Sequence, residues 1–252
     1  MNGDELGVDC GGSCTPCPCM TSPCVETGLV GHWPFELSLD DTVGDSDGRR
    51  LGGTPTYVAG VAGMAISLDG NGDAVAVEGA SALTAFQSDV FTIVGWARHR
   101  PKAESEPRFL WSVDEDGDRD LHYLGYKSSP TFQCRNGTSD GRSNIEINVG
   151  NPTTAETWHH FAVTSSDPGI WAFYFDGCLV GAAGPDHRLR LSGAQCFVMG
   201  GEQRNACVLG SADMAWNGEI DEVSVFDRIL SPDEIAFSAS LATSEIPVCP
   251  GG

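Results

Sequence analysis

Three acidic residues crowd one stretch of the chain: Glu219, Asp221 and Glu222 lie within "GEIDEVSVFD". Paired carboxylates are the machinery of retaining glycoside hydrolysis, which needs the two groups about 5–5.5 Å apart. Along a strand the side chains alternate, so Glu219 and Asp221 share a face and Glu222 takes the other. No further acid continues the row, because residues 223 to 226 are Val, Ser, Val and Phe. The stretch is also the last strand-like run of the chain, and both features predict that this strand is not catalytic.

Other constellations are thinner. "DEDGDRD" (Asp114–Asp120) begins like an EF-hand loop, yet Arg119 stands where that loop needs Gly and Gly125 where it needs Glu. An acidic hairpin tip is the better reading. "DGNGD" (Asp69–Asp73) fails in the same way, with Ala80 at the closing position. His159 and His160 are adjacent, so on a strand they face opposite ways, one toward the interior and one toward the surface. No nucleophile elbow, phosphate-binding loop or dinucleotide fingerprint is present. Asn136–Thr138 is an N-glycosylation acceptor pattern.

Charge narrows the partners. There are 14 basic and 35 acidic residues, a formal net charge of −21. Such a surface repels phosphate backbones and excludes nucleic acid as a natural partner. It suits hard cations such as calcium, and it equally suits simple solubility outside the cell. No apolar run is long enough to span a bilayer. The polar opening "MNGDELGVDC" is no export signal. Ten cysteines nonetheless point to an oxidising, extracellular compartment, so the expectation is a mature, exported chain without its leader.

Five cysteines cluster near the start (Cys10, Cys14, Cys17, Cys19, Cys24) and five are dispersed (Cys134, Cys178, Cys196, Cys207, Cys249). Complete pairing of two odd sets needs a bridge between them. Cys249 is the natural candidate because domain termini often lie close together. Cys134, Cys178, Cys196 and Cys207 would then pair among themselves. A zinc knuckle on Cys14-x-x-Cys17 is the competing reading, but a second spaced pair is missing.

The elements that must position these groups read as strands. Residues 1–27 form a Gly-, Pro- and Cys-rich segment, residues 28–240 one domain, and residues 241–252 a tail. "LVGHWPF", "MAISLDGNGDAVAV", "DVFTIVGWARH", "RFLWSV", "LHYLGY", "IEINV", "TWHHFAVTSS", "IWAFYFDG", "CFVMGG" and "GEIDEVSVFD" follow one another at short spacings. Short strands joined by Gly-rich turns make a sandwich or jelly roll. "RFLWSV" and "LHYLGY" form a hairpin across the acidic tip. In "DVFTIVGWARH" both registers are apolar, which fits a strand covered on both faces. Trp158 and Phe161, with Trp171, Phe173 and Phe175, are expected to fill the core. One helical turn is expected at "SPDEIAF", where Ser231 caps, Pro232 opens and Glu234 completes a capping box.

The ordered pieces "GLVGHWPFE", "GVAGMAISLDGNGDAVAV", "FTIVGWAR", "TWHHFAVTSS", "WAFYFDGCLVG" and "GEIDEVSVFDRILSPDEI" resemble the laminin-G-like, concanavalin A-like jelly rolls of secreted bacterial proteins. The resemblance implies an all-β, antiparallel two-sheet sandwich that binds glycans, proteins or matrix components. Glucanases of similar fold carry a Glu-x-Asp motif in mid-chain, whereas the matching residues here close the chain. The resemblance further implies a structural calcium ion held by Asp221, with backbone carbonyls near Pro34 and at Asp69–Gly70. The other reading of Asp221 is a strand-end cap or a partner of Arg228. Candidate stacking residues for a ligand are Trp111, Tyr123, Tyr126 and Trp216, each equally able to be core. The leading expectation is a secreted recognition module for a glycan or extracellular protein, and not an enzyme. A structural or adhesive surface subunit and a jelly-roll glycan-degrading enzyme are the alternatives.

Overall fold

In the computed structural model, the residues described are 27–240 and 249, apart from 79, 89, 101–107, 116–117, 128–130, 138–155, 168, 185–193, 203–209 and 211. The Cys-rich start and the "IEINV" stretch lie outside them. The described strands form two antiparallel sheets. The larger has eight strands: β12 (Cys178–Ala183), β11 (Ile170–Phe175), β10 (Trp158–Ser166), β6 (Phe91–His99), β14 (Asn217–Phe226), β4 (Met64–Asp69) and β3 (Thr56–Ala59) run side by side, and β1 (Leu29–Trp33) pairs with β14. The smaller has six: β2 (Gly48–Leu51), β5 (Ala74–Val77), β13 (Ala194–Met199), β7 (Arg108–Glu115), β8 (Asp118–Lys127) and β9 (Thr131–Gly137). This is the expected concanavalin A-like sandwich.

Alternation explains the core. Phe91, Ile93 and Ala97 on β6, Phe161 and Val163 on β10, and Trp171 and Phe173 on β11 turn inward, where they meet Trp111, Val113, Phe197 and Met199 of the second sheet. Each such side chain removed from water contributes roughly 1.5–3 kcal/mol. The expected hairpin exists, with β7 paired to β8. Strand β6 is covered on both faces because helix α2 (Pro232–Ser238) lies over the outer face of the larger sheet. Ile235 and Leu230 there pack on Val94, Ala162, Tyr174 and Phe226. The capping box forms as expected: Ser231 Oγ accepts from Glu234 N at 3.3 Å and Glu234 Oε2 accepts from Ser231 N at 2.7 Å.

Several expectations fail for identifiable reasons. Trp158 and Phe161 are three residues apart, so a strand sends them to opposite faces; Phe161 is core, whereas Trp158 is only half-buried on the outer face. Neither adjacent histidine is at the surface. His159 lies against Phe161 and Phe175, while His160 is sealed beneath α2, with its Nε2 2.7 Å from Ser238 Oγ. Helix α1 (Ala80–Gln87) was not foreseen; Leu83 and Phe86, at helical spacing, drop into the core. Cys249 bonds Cys178, not the N-terminal cluster. The reason is local. Helix α2 carries the chain over the larger sheet, and Cys249 ends beside the β11–β12 turn at Gly177. Cys196 is also disulfide-bonded. Cys134 stands on β9, and Cys207 lies outside the described residues.

Candidate functional site

The acids of β14 sit where that strand changes neighbours. Asn217–Ile220 pair with β4, and Val223–Phe226 pair with β1. Between them the ladder with β6 shifts register from Asp221 to Ser224, and Glu222 adopts a positive φ of 50°. A bulge of this kind adds a residue and re-aims side chains. Glu219, Asp221 and Glu222 therefore enter three different environments.

Glu219 faces outward in a straight row of cross-strand partners. Thr56 pairs with Ser67, Ser67 with Glu219, Glu219 with Arg98, and Arg98 with Trp158. Arg98 Nε donates to Glu219 Oε2 at 2.9 Å, and Ser67 Oγ donates to Oε1 at 3.3 Å. Arg100 Nη2 lies 3.4 Å from Oε1 and donates to Ser67 Oγ and to Leu68 O at 3.0 and 2.7 Å. The Arg98 guanidinium carbon sits 4.9 Å from the centre of the Trp158 ring. Glu219 is nearly closed off, with its side chain 6 % exposed, whereas the side chains of Arg98 and Arg100 keep 29 % and 39 %.

Asp221 is wholly buried beneath the β3–β4 turn. Its Oδ2 accepts from Val61 N and Ala62 N at 2.7 and 3.2 Å, while Oδ1 has no partner. Burial pushes this carboxyl up to about 7, against the backbone donors of Ala62, Val61 and Glu222 and with a further push from Glu36. Gly60 must be glycine, since a Cβ there would run into the Asp221 carboxylate. Glu222 reaches back to β1, where its Oε2 lies 3.2 Å from His32 Nε2. Burial, then Asp221 and Glu36, raise Glu222 to about 8, and burial lowers His32 to about 4. Glu36 Oε1 in turn accepts from Met64 N at 3.0 Å.

The expected calcium ligands come together only in part. Pro34 directly follows Trp33, which pairs with Val223, so it stands close to the bulge. Asp69 pairs with Asn217, four residues along β14 from Asp221, which is about 13 Å on an extended strand. The turn that reaches Asp221 is the one at Gly60–Gly63, not Asp69–Gly70. Arg228 does not partner Asp221 either; it forks onto Glu234 at 2.7 and 3.0 Å. Among the described residues no three His, Cys, Asp or Glu side chains gather around one point. The orphaned Oδ1 beside two mutually repelling carboxylates still fits a cation whose remaining ligands are carbonyls or water.

The stacking candidates divide. Trp111 and Trp216 are each 1 % exposed and belong to the core, so neither offers a face to a ligand. Trp111 stands opposite Met199 and Leu124, on the inward register, and the Trp216 ring meets His99. Tyr123 pairs with Ser112 and Arg135, on the alternate register to Trp111. Tyr126 pairs with Phe132 and shares the register of Leu124. The outward row of Arg98, Arg100 and Trp158 escaped the sequence reading. Parity counted from Phe91 and Phe161 would have found it.

Comparisons with known proteins agree with this architecture. A family described as "Concanavalin A-like lectin/glucanases superfamily" matches residues 69–236, about two thirds of the chain. The mouse (Mus musculus) "Sushi, von Willebrand factor type A, EGF and pentraxin domain-containing protein 1" is 31% identical over 91 residues, 35% of this chain and 3% of that protein. Guinea-pig (Cavia porcellus) neuronal pentraxin-2 is 30% identical over 83 residues, 31% of this chain and 19% of that protein. The aligned stretch is thus a small part of either relative. Among solved structures, domain 4 of AbnA, a GH43 extracellular arabinanase from Geobacillus stearothermophilus in complex with arabinotriose, superposes with a TM-score of 0.66 at 17% identity, covering 86% of this chain and 100% of that one. At that identity the likeness speaks to fold.

Proposed function

The chain belongs to the concanavalin A-like lectin/glucanases superfamily, and from that premise we propose that it is an extracellular recognition module, without hydrolytic activity, that binds a glycan or protein ligand. The observation that carries this reading is the fate of the β14 carboxylates. Glu219 is held by Arg98, Arg100 and Ser67; Asp221 is buried under the β3–β4 turn; Glu222 is turned back onto His32. A retaining mechanism needs one ionised nucleophile and one protonated acid, both facing substrate. Glu219 is held by Arg98, Arg100 and Ser67, and Asp221 carries the raised pKa but has no access to a substrate. The complex of the structurally similar AbnA domain with arabinotriose supports glycan as the first ligand class to test. Ten cysteines and the Cys178–Cys249 bridge support an oxidising compartment. No described helix is long and apolar enough to cross a membrane.

The same reading includes a structural calcium ion. Asp221 would hold it through Oδ1, with Glu36 and the backbone near Pro34 contributing, and the ion would neutralise the repulsion among Asp221, Glu222 and Glu36. By joining β14 to the segments before and after β2 and β3 it would stiffen the scaffold, with no part in bond cleavage. A glycan array together with product analysis on β-glucans, alginate and sialosides tests the proposal. Retention without cleavage is expected; cleavage would refute it.

A further inference from the structure

We infer that the outward row on the larger sheet, Trp158–Arg98–Glu219–Ser67 with Arg100 beside it, is a binding site for a sugar carboxylate, as found in a uronate or a sialic acid. This rests on the recognition reading and adds to it a site and a ligand class.

The charge pattern singles the row out. The chain carries 35 acidic and only 14 basic residues, yet here two arginines converge on one carboxylate. Glu219 takes one bond from Arg98 Nε and lies 3.4 Å from Arg100 Nη2. Two guanidinium charges against one buried carboxylate leave a local excess of one positive charge, and the exposed part of the cluster is the arginine part. At one border of the row Asp69 Oδ1 accepts from Asn71 N at 2.8 Å. An anion entering between Arg98 and Arg100 would find planar donors already held in place by Glu219, Ser67 Oγ and Leu68 O, so little side-chain order is lost on binding.

The aromatic half of the row decides what kind of anion. Trp158 is half-buried, and the Arg98 guanidinium sits over its ring, 4.9 Å from the centre, so a cationic plane adjoins what indole surface remains open. That combination suits a pyranose, whose C–H face rests on an indole while its carboxylate meets a guanidinium. The exposed Thr56, opposite Ser67, continues the row with a hydroxyl for a neighbouring sugar. A polyphosphate or nucleic acid backbone would meet the field of the whole −21 chain, whereas a single carboxylate on an otherwise neutral glycan meets mainly the local patch. Helix α2 covers another part of the same face, around Val94, Ala162 and Tyr174.

The test is calorimetric titration of the full, disulfide-intact chain. Sialyllactose and an oligogalacturonate serve as the acidic probes, with lactose and the methyl-esterified oligogalacturonate as neutral counterparts. Arg100→Gln and Trp158→Leu are measured beside the native protein, each checked by its melting curve; both leave the Arg98–Glu219 pair in place. The expected result is binding of at least one acidic probe, at least tenfold tighter than its neutral counterpart, and a tenfold or greater weakening in each variant. The acidic probe that binds tells uronate from sialic acid. Equal binding of acidic and neutral probes, or variants that bind as the native protein does, would overturn the site while leaving glycan recognition standing. A chain that binds none of these probes, nor any glycan on a broad array, would overturn both.

Discussion

In calcium-free buffer the protein should lose stability as pH rises from 6.5 to 8.5, above the range in which the buried His32 and His160 oppose the trend. The cause is the group of acids at the β14 bulge. In the unfolded chain Glu222 and Asp221 titrate near their ordinary values of 4.5 and 3.8, whereas the native protein holds Glu222 to about 8 and Asp221 to about 7. Between those limits the native state binds more protons than the unfolded state, so stability is present at low pH and is lost as pH climbs. From pH 6.5 to the native Glu222 value of about 8, this one group costs about 2 kcal/mol. The Asp221 contribution shares the same repulsion and is not added. At about 2–4 °C per kcal/mol for a domain of this size, Tm should fall by roughly 4–8 °C. The assay is thermal melting by circular dichroism at half-unit pH steps, with chelator and again with saturating calcium. Calcium should flatten the decline, since a bound cation favours the ionised acids. Magnesium at matched ionic strength controls for diffuse screening. Glu222→Gln should flatten the chelator curve without calcium. A native curve that is flat in chelator, or a Glu222→Gln protein that declines as steeply as the native one, would refute the reasoning.

Three further outcomes are expected. Asp41→Ala should cost about 3–5 kcal/mol by thermal or denaturant melting, because its carboxylate accepts from His32 N, Val43 N, Gly44 N and Ser46 N and the substitution strands those donors. Replacing Cys178 and Cys249 together by Ser should lower stability by up to about 4 kcal/mol, the chain-entropy value for a bridge across 71 residues, with the shift absent under reducing conditions. Acidification from about 4.5 to 3, where the unfolded-state acids take up protons and no longer offset the histidines, should also destabilise. Burial holds His32 and His160 neutral down to about 4 and about 3, so the unfolded state binds more protons there and stability falls with pH; His160→Gln should blunt that acid limb.

The fold was legible where one physical rule dominated. The two-sided apolar character of β6, the alternation along β11, the capping box at Ser231 and the turn glycines are local signals, and each appears in the structure as read. The failures arise where tertiary context intervenes. Trp158 reads as core because it is a large aromatic residue opening a strand, but its parity puts it outside, and whether an outward Trp is covered depends on where α2 lies. His160 is buried for the converse reason, since α2 seals that part of the outer face. The partner of Cys249 depended on the path of the chain after α2, which no spacing encodes. The calcium expectation named Asp221 and Pro34 near one another, yet placed the turn wrongly. Gly60–Gly63 and Asp69–Gly70 flank the same strand, β4, and only register tells which end reaches the bulge.

The central claim is that the β14 carboxylates hold the scaffold and its arginines and do not break bonds. The most direct measurement is mass-spectrometric product analysis after long incubation of the native chain with an oligosaccharide it demonstrably binds, run beside Glu219→Gln. Intact oligosaccharide is expected in both samples. Shortened products that form with the native chain and disappear with Glu219→Gln would contradict it.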